Sequence, residues 1–464
     1  MNSRSKLFSM LFLVSALTFL AQQSVAVSAA DSVSQPGYAI VATQAVLDDE
    51  NWSKVVDTLK ERRRANYEVK VFVWNDELQQ SLADFFPKYA CFVVKPEEAS
   101  VEQLANIWAL SRNLDDDPYG DVLWGIITGY DYEDAVRLAK VEDMVVERAL
   151  GGTSIALKYF KTGVAYDEGK KNHRKVKEEG SEPEDRNDAP DDTTKAIAEA
   201  LNDSQLFVTS GHASERNWSI GYSYKNGFFV AKDGKLYGKP SNDAAFEIHA
   251  TGSKIHLASG NCLWGHIDKP DCMALAMIRN ANVDMLIGYV VPTWFGYMGW
   301  GVQDYYIEEP GRFTVAEAFF ANNQALLNLL QNPDGLSAQT KEGLRFDRDV
   351  VVLYGDPAWQ NALRVQDSGW KQELTSEPTE DGRTLWTLTI TPLQGDASYR
   401  LVDGNGSERG GRPFFQFFPT RVSDPVVVDN ADLDVVAVDN FILAPCRNKK
   451  LSADKPIVIK VSTK

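Results

Sequence analysis

From Tyr38 to Leu353 short apolar runs alternate with longer, mostly amphipathic stretches, without an internal repeat. The runs Tyr38–Thr43, Tyr67–Trp74, Ala90–Val94, Val122–Ile127, Leu206–Ser210, Lys254–Ser259, Met285–Val291 and Asp349–Leu353 have the length and residue types of strands. Between them the spacing predicts helices over Trp52–Asn66, Leu78–Phe86, Ser100–Leu114, Tyr132–Leu150, Cys272–Asn280 and from Thr314 to about Gln331. Two of these open on capping boxes, Ser100-x-x-Gln103 and Thr314-x-x-Glu317. Gly151-Gly152 is read as the stop of the Tyr132–Leu150 helix. Strands that alternate with helices predict an α/β protein with a mostly parallel sheet sandwiched by helices.

Two segments depart from this rhythm. Lys170–Lys177 is a basic cluster, and Glu178–Asp192 follows with eight acidic residues and two prolines. This stretch is expected to be an exposed acidic loop over 178–194. Beyond about Val365 the helical pattern ends. Leu385–Ile390, Tyr399–Val402, Phe414–Phe418, Val426–Val428, Val435–Val438 and Ile457–Val461 are short β-rich runs separated by Gly, Asp, Asn and Pro. They predict a small antiparallel, immunoglobulin-like β-sandwich. The expected organisation is an N-terminal α/β subdomain over 31–150, a second over 151–365 and the sandwich over 366–464.

Arg4 and Lys6, the apolar stretch Leu7–Leu20 and small residues around Ala26, Ala29 and Ala30 form the pattern of a secretory signal peptide over 1–30. The apolar stretch is too short for a spanning helix. The expected product is secreted or periplasmic, with no membrane insertion. The full chain carries a net charge of −17, and −19 without Arg4 and Lys6. Such acidity argues against nucleic acid as a partner.

The chemistry concentrates at two strand ends fifty residues apart. Leu206–Ser210 runs into Gly211-His212, and Ile255–Ser259 runs into Gly260-Asn261-Cys262. The C-terminal edge of a parallel sheet is where α/β proteins bind ligands. A thiol and an imidazole delivered there are candidates for a nucleophile and its base. The glycines around Cys262 suit close approach of a substrate and N–H donation to an oxyanion. Other readings remain open. Cys262 and His212 are also ordinary core and structural residues, and Cys262, His266 and Cys272 with Asp268 or Asp271 form a possible zinc set. Cys272, at a helix start, is the rival thiol and is read as structural. No phosphate loop, dinucleotide fingerprint or G-x-S-x-G elbow is present.

Over about 37–365 these motifs resemble the gingipain-like cysteine peptidases, relatives of caspases and legumains. Cys262-Leu-Trp-Gly265 and Asp271-Cys-Met-Ala-Leu-Ala-Met-Ile-Arg279 are similar to the family's nucleophile loop and following helix. Met285-Leu-Ile-Gly288, Pro292-Thr-Trp294 and Gly301-Val-Gln-Asp304 resemble the next strand and the loops around the specificity pocket. Tyr354-Gly-Asp-Pro357 resembles the end of the catalytic unit, and a β-sandwich after it is usual in the family.

The resemblance implies a two-subdomain caspase- or gingipain-like fold and a cysteine endopeptidase acting on polypeptides. Cys262 and His212 would be its dyad, and Asp121, in Asp121-Val-Leu-Trp-Gly125, would hold the imidazole. Gly211, Ala213 and Asn261 would lie at the oxyanion and substrate site. Thr293 and Trp294 would wall the P1 pocket, with Asp134 or Asp304 available to a basic P1 side chain. No cofactor is implied beyond the calcium some members carry. Two residues depart from the pattern: Ala213 stands where the family has Gly, and Asn261 where it has Ala. They motivate a second reading, a non-catalytic protein- or ligand-binding module on the same fold.

Overall fold

The computed structural model describes residues 35–393, 397–398, 406–407, 410–446, 450–452 and 455–464. The expected signal peptide over 1–30 and the run Tyr399–Val402 lie outside them. Through the α/β part the strands are β1 Gly37–Ala42, β2 Glu68–Val73, β3 Tyr89–Val93, β4 Leu123–Ile127, β5 Arg148–Gly151, β6 Thr162–Tyr166, β7 Arg174–Lys177, β8 Glu184–Arg186, β9 Leu206–Thr209, β10 Asn217–Ser219, β11 Phe228–Lys232, β12 Lys235–Lys239, β13 Phe246–Glu247, β14 Lys254–Ala258, β15 Val283–Tyr289 and β16 Val351–Tyr354. The helices are α1 Gln44–Leu47, α2 Ser53–Arg63, α3 Leu78–Phe85, α4 Val101–Leu110, α5 Tyr132–Ala139, α6 Thr194–Ala200, α7 Met273–Asn280, α8 Tyr297–Tyr306, α9 Val315–Gln331 and α10 Ala338–Asp347.

Twelve strands form one mostly parallel sheet in the order β2-β1-β3-β4-β16-β15-β14-β9-β5-β6-β7-β8. Strands β3, β4, β9, β14, β15 and β16 are buried along their whole length, which explains their apolar sequences. One strand sets the geometry of everything near the site. β16 pairs parallel to β4 but antiparallel to β15. The half-sheet β1–β4 therefore runs opposite to β5, β9, β14 and β15. The C-terminal ends of β9, β14 and β15 share one edge of the sheet with the N-terminal end of β4.

Three local expectations are corrected. The helix expected over Tyr132–Leu150 stops at Ala139, and Arg148–Gly151 is instead β5, inserted between β9 and β6. Ala149 and Leu150 fall at helical spacing but gain burial and ladder hydrogen bonds by pairing with Leu206 and Phe207. The acidic stretch is not all loop. Glu184–Arg186 pairs back on Arg174–Lys177 and extends the sheet, with Arg174 bridging to Asp188 at 2.7 Å. The segment Gly301–Asp304, expected in a loop, lies inside helix α8.

A hairpin turn at Asp233-Gly234 joins β11 to β12, and both residues take positive φ as such a turn requires. Helix α9 carries the expected capping box, Thr314 Oγ1 accepting from Glu317 N while Glu317 accepts from Thr314 N.

The C-terminal part is β-rich and antiparallel. Trp370–Pro378, Thr384–Pro392, Ile457–Thr463 and Val426–Asp429 form a four-stranded sheet. Phe414–Phe417, Phe441–Ala444 and Val436–Ala437 form a second. The strand Trp370–Pro378 escaped the sequence reading because most of it is exposed and polar. Alternation along Phe414–Phe417 serves two cores at once: Phe414 packs with Leu388, Ile390 and Ile459, while Phe415 enters the α/β core.

Candidate active site

β9 and β14 lie side by side and parallel, with Thr209 opposite Ala258. Their next residues turn away from the sheet at the same edge. Gly211 has φ +88°, a left-handed conformation that costs a glycine little, and it delivers His212 to the surface. On the neighbouring strand, Gly260 and Asn261 carry the chain to Cys262.

Cys262 is half-buried, whereas Cys91, Cys272 and Cys446 are buried. Burial pushes the Cys272 thiol up to about 12 and also raises that of Cys91. The Cys262 sulfur sits against the backbone of Thr293, whose N–H donates to Sγ at 3.2 Å. The thiol in turn faces Thr293 O at 3.8 Å. Just beyond, Leu263 has φ +57°, a conformation that strains a branched residue, and its N–H is held by Val291 O. Thr293, expected beside the substrate, thus holds the thiol through its main chain. Trp294 is 47% exposed and leans on Phe295 and Phe346.

His212 is exposed, and its ring stacks on Tyr222 with centroids 5.0 Å apart and an interplanar angle of 27°. No hydrogen bond joins this imidazole to the Cys262 sulfur, whose partners are both on Thr293. The two residues are adjacent in topology but not joined by a hydrogen bond. Ala213 is half-buried, packs against the core and bridges to Trp218.

Asn261 is fully buried. Its Oδ1 accepts from Thr209 Oγ1 at 2.6 Å and its Nδ2 donates to Gly211 O at 3.1 Å. The amide is therefore engaged within the protein, where it stitches the two loops together. Further out, Arg216 bridges to Asp268 through two 2.7 Å contacts, and Met273 N donates to Glu215 O. The glycines of the Cys262 loop are also explained by packing. A Cβ on Gly260 would stand 3.0 Å from the Trp300 ring, and one on Gly265 would stand 2.7 Å from Gly288 O.

The three acids expected at the site lie elsewhere. Asp121 precedes β4, on the same sheet edge as His212 but four strand spacings away, about 19 Å. Its Oδ2 accepts from Leu114 N at 2.9 Å, and burial pushes its carboxyl up to about 8. It does not hold the imidazole. The strands β16, β15 and β14 that lie between β4 and β9 separate the two residues, and matching a motif to a strand end says nothing of how many strands intervene. Asp134 begins α5 at the opposite sheet edge, where it accepts from Tyr130 N. Asp304 is buried in α8 and pairs with Arg412 of the C-terminal sandwich at 3.3 Å, so an internal cation already answers its charge.

A carboxylate that sequence reasoning missed does reach the His212 loop. Glu168 accepts hydrogen bonds from Ser210 Oγ and from Thr153 Oγ1, the latter at 2.9 Å. Its main-chain oxygen accepts from Tyr222 N at 2.6 Å. Burial raises its carboxyl above the ordinary range. It thus supports both the strand end before His212 and the ring on which His212 rests. A lone Glu in the run Asp167-Glu168-Gly169 carries no signal of this, since its partners are distant in sequence.

The possible zinc set does not converge. Asp268 is engaged by Arg216, Asp271 accepts from Gly234 N and Cys272 is buried. Among the described residues, the metal-ligating side chains gathered within 4.8 Å of one another are Asp115, Asp117 and Asp121. They suit calcium in kind but fall short of the roughly six to eight oxygens it takes. Each also accepts a backbone N–H. No helix among the described residues is long and apolar enough to cross a membrane.

Compared with known proteins, the chain matches no family model, no curated protein and no solved structure.

Proposed function

We propose that the chain is an exported cysteine endopeptidase, secreted or periplasmic, built on a caspase- and gingipain-like frame. One observation carries the reading. The half-exposed thiol among four cysteines lies at the C-terminal end of β14, and the parallel neighbour β9 ends in an exposed histidine. In this reading the Cys262 thiolate attacks the scissile carbonyl of a polypeptide and forms a thioester. His212 accepts the thiol proton and passes it to the leaving amine, and water then releases the acid. Thr293 N–H supports charge on sulfur before attack, and backbone N–H groups of the Cys262 loop and Ala213 are the candidates for the oxyanion. Trp294 offers an apolar wall for substrate. Glu168 takes the place expected for Asp121, acting through Ser210 rather than on the imidazole itself.

The test is a purified mature protein assayed on a mixed peptide library beside its Cys262→Ala and His212→Ala variants. Hydrolysis should fall by at least ~10³-fold in each. Hydrolysis that persists in Cys262→Ala sinks the proposal. A non-catalytic binding module is the second reading, favoured by the stacking of His212 on Tyr222 and the absence of a thiol–imidazole hydrogen bond. It predicts no turnover by the wild type, with peptides bound rather than cut.

A further inference from the structure

Between the two loops runs a hydrogen-bond chain with a single direction. Thr209 has one hydroxyl proton, and it points at Asn261 Oδ1. The contact of 3.0 Å between Thr209 Oγ1 and His256 Nε2 must then be donated by the imidazole. His256 is fully buried between Phe207 and Trp264, and burial lowers its pKa to about 3, so it stays a neutral donor. The order is His256 Nε2–H to Thr209, Thr209 O–H to Asn261, and Asn261 Nδ2–H to Gly211 O. Each link is buried at its origin, and donors aligned in series polarise one another.

The final acceptor is the carbonyl of the peptide that joins Gly211 to His212. Gly211 is in the left-handed region, where the absence of a Cβ leaves that peptide free to rotate. Asn261 Nδ2 removes this freedom from one side while its own main chain continues into Cys262. Its carbonyl also faces Thr293 Oγ1 at 3.5 Å, next to the N–H that holds the sulfur.

We infer that Asn261 is a positioning residue, fixing the His212 peptide relative to Cys262 through a relay anchored in the core at His256. The inference rests on the proposed thiol chemistry. It changes the meaning of Asn261, which as a bare departure from Ala argued against competence. The buried amide is instead the link between the two halves of the dyad. Arg216–Asp268 ties the same loops further from the reacting atoms and half-exposed, so it cannot substitute for a restraint on the Gly211 peptide.

The experiment compares wild type, Asn261→Ala, Asn261→Asp, Thr209→Val, Thr209→Ser and His212→Ala. The rate of Cys262 alkylation by iodoacetamide is measured against pH, and kcat and KM are measured on the best library peptide. Asn261→Asp keeps size and the acceptor for Thr209 but puts an acceptor against Gly211 O. Both Asn261 variants should lose the limb of the alkylation profile that His212→Ala also loses. Their kcat should drop ~10–100-fold while KM moves less than ~3-fold. Thr209→Val should follow them in part, and Thr209→Ser, which keeps the hydroxyl, should reverse that loss.

A wild-type alkylation profile and kcat in folded Asn261→Ala overturn the inference. So does loss of the cooperative thermal transition in both Asn261 variants, which would assign the residue to stability alone. Failure of the parent reading looks different: His212→Ala itself would leave the alkylation profile of Cys262 unchanged.

Discussion

The imidazole of His212 lies on the face of Tyr222, a residue 60% exposed whose N–H is held by the main chain of Glu168. The ring has a resting place, and that place makes no hydrogen bond to the thiol. In the proposed mechanism the imidazole swings to Cys262 and gives up the stacking contact, worth roughly 0.5–1.5 kcal/mol. Tyr222→Ala should therefore raise kcat/KM by ~2–10-fold, and Tyr222→Phe should leave it near the wild-type value. Steady-state kinetics on the same peptide decide it; a fall in Tyr222→Ala would mean that the ring guides the imidazole rather than restrains it.

Thiol labelling should be sharply selective. Cys91, Cys272 and Cys446 are buried, and burial raises the first two thiols well away from neutral pH. At pH 7.5 the native protein should incorporate one equivalent of iodoacetamide, at Cys262, and native Cys262→Ser should incorporate none. Peptide mapping by mass spectrometry checks this. Native-state labelling of Cys272 would contradict the packing of α7 on the sheet.

Asp121 offers a stability test whose sign is fixed by burial. Its carboxyl is pushed up to about 8 in the fold, against about 3.9 in an unfolded chain. Between those values the native state holds the extra proton, so this group's contribution to stability is greatest at low pH and declines as pH rises through the window. Asn accepts from Leu114 N as Asp does and carries no charge. Relative to wild type, Asp121→Asn should gain stability progressively between pH 4.5 and pH 8, by ~1–3 kcal/mol at the upper end. Calorimetry across that range would refute this if the difference were flat or reversed.

The Arg412–Asp304 pair joins the sandwich to α8, with Arg412 also lying 3.8 Å over the Tyr297 ring. Both side chains are almost fully buried, so removing one takes a close opposite charge from the other, at a cost of roughly 3–5 kcal/mol. Arg412→Met alone should destabilise by that order in chemical denaturation. Arg412→Met combined with Asp304→Asn should recover much of the loss. Additive losses would show that the two residues act independently.

Much of the fold was legible because buried parallel strands are written as unbroken apolar runs. β9 and β14 were read with the turns to His212 and Cys262 after them, and Thr314-x-x-Glu317 gave the start of α9. What escaped has a common cause: it depends on pairing between distant segments. Arg148–Gly151 reads as helix until β9 and β6 close on either side of it. Glu184–Arg186 is too acidic to look like a strand and is one only because Arg174–Lys177 templates it. Asp121 was matched by motif, but its distance from His212 is set by how many strands lie between β4 and β9. Glu168 and the Asn261 relay are contacts across forty to fifty residues, which no local pattern records.

The reversal at β16 reaches beyond the site. This strand arrives at residues 351–354, after every other member of the large sheet, yet it alone lies between β4 and β15. Until it is made, the growing chain carries two half-sheets, each with an unpaired edge strand, Leu123–Ile127 on one and Val283–Tyr289 on the other. Completing the α/β sheet thus requires a pairing of high sequence separation, which slows folding. A chain that stops short of Val351 should persist as two sticky fragments rather than as a smaller version of the protein.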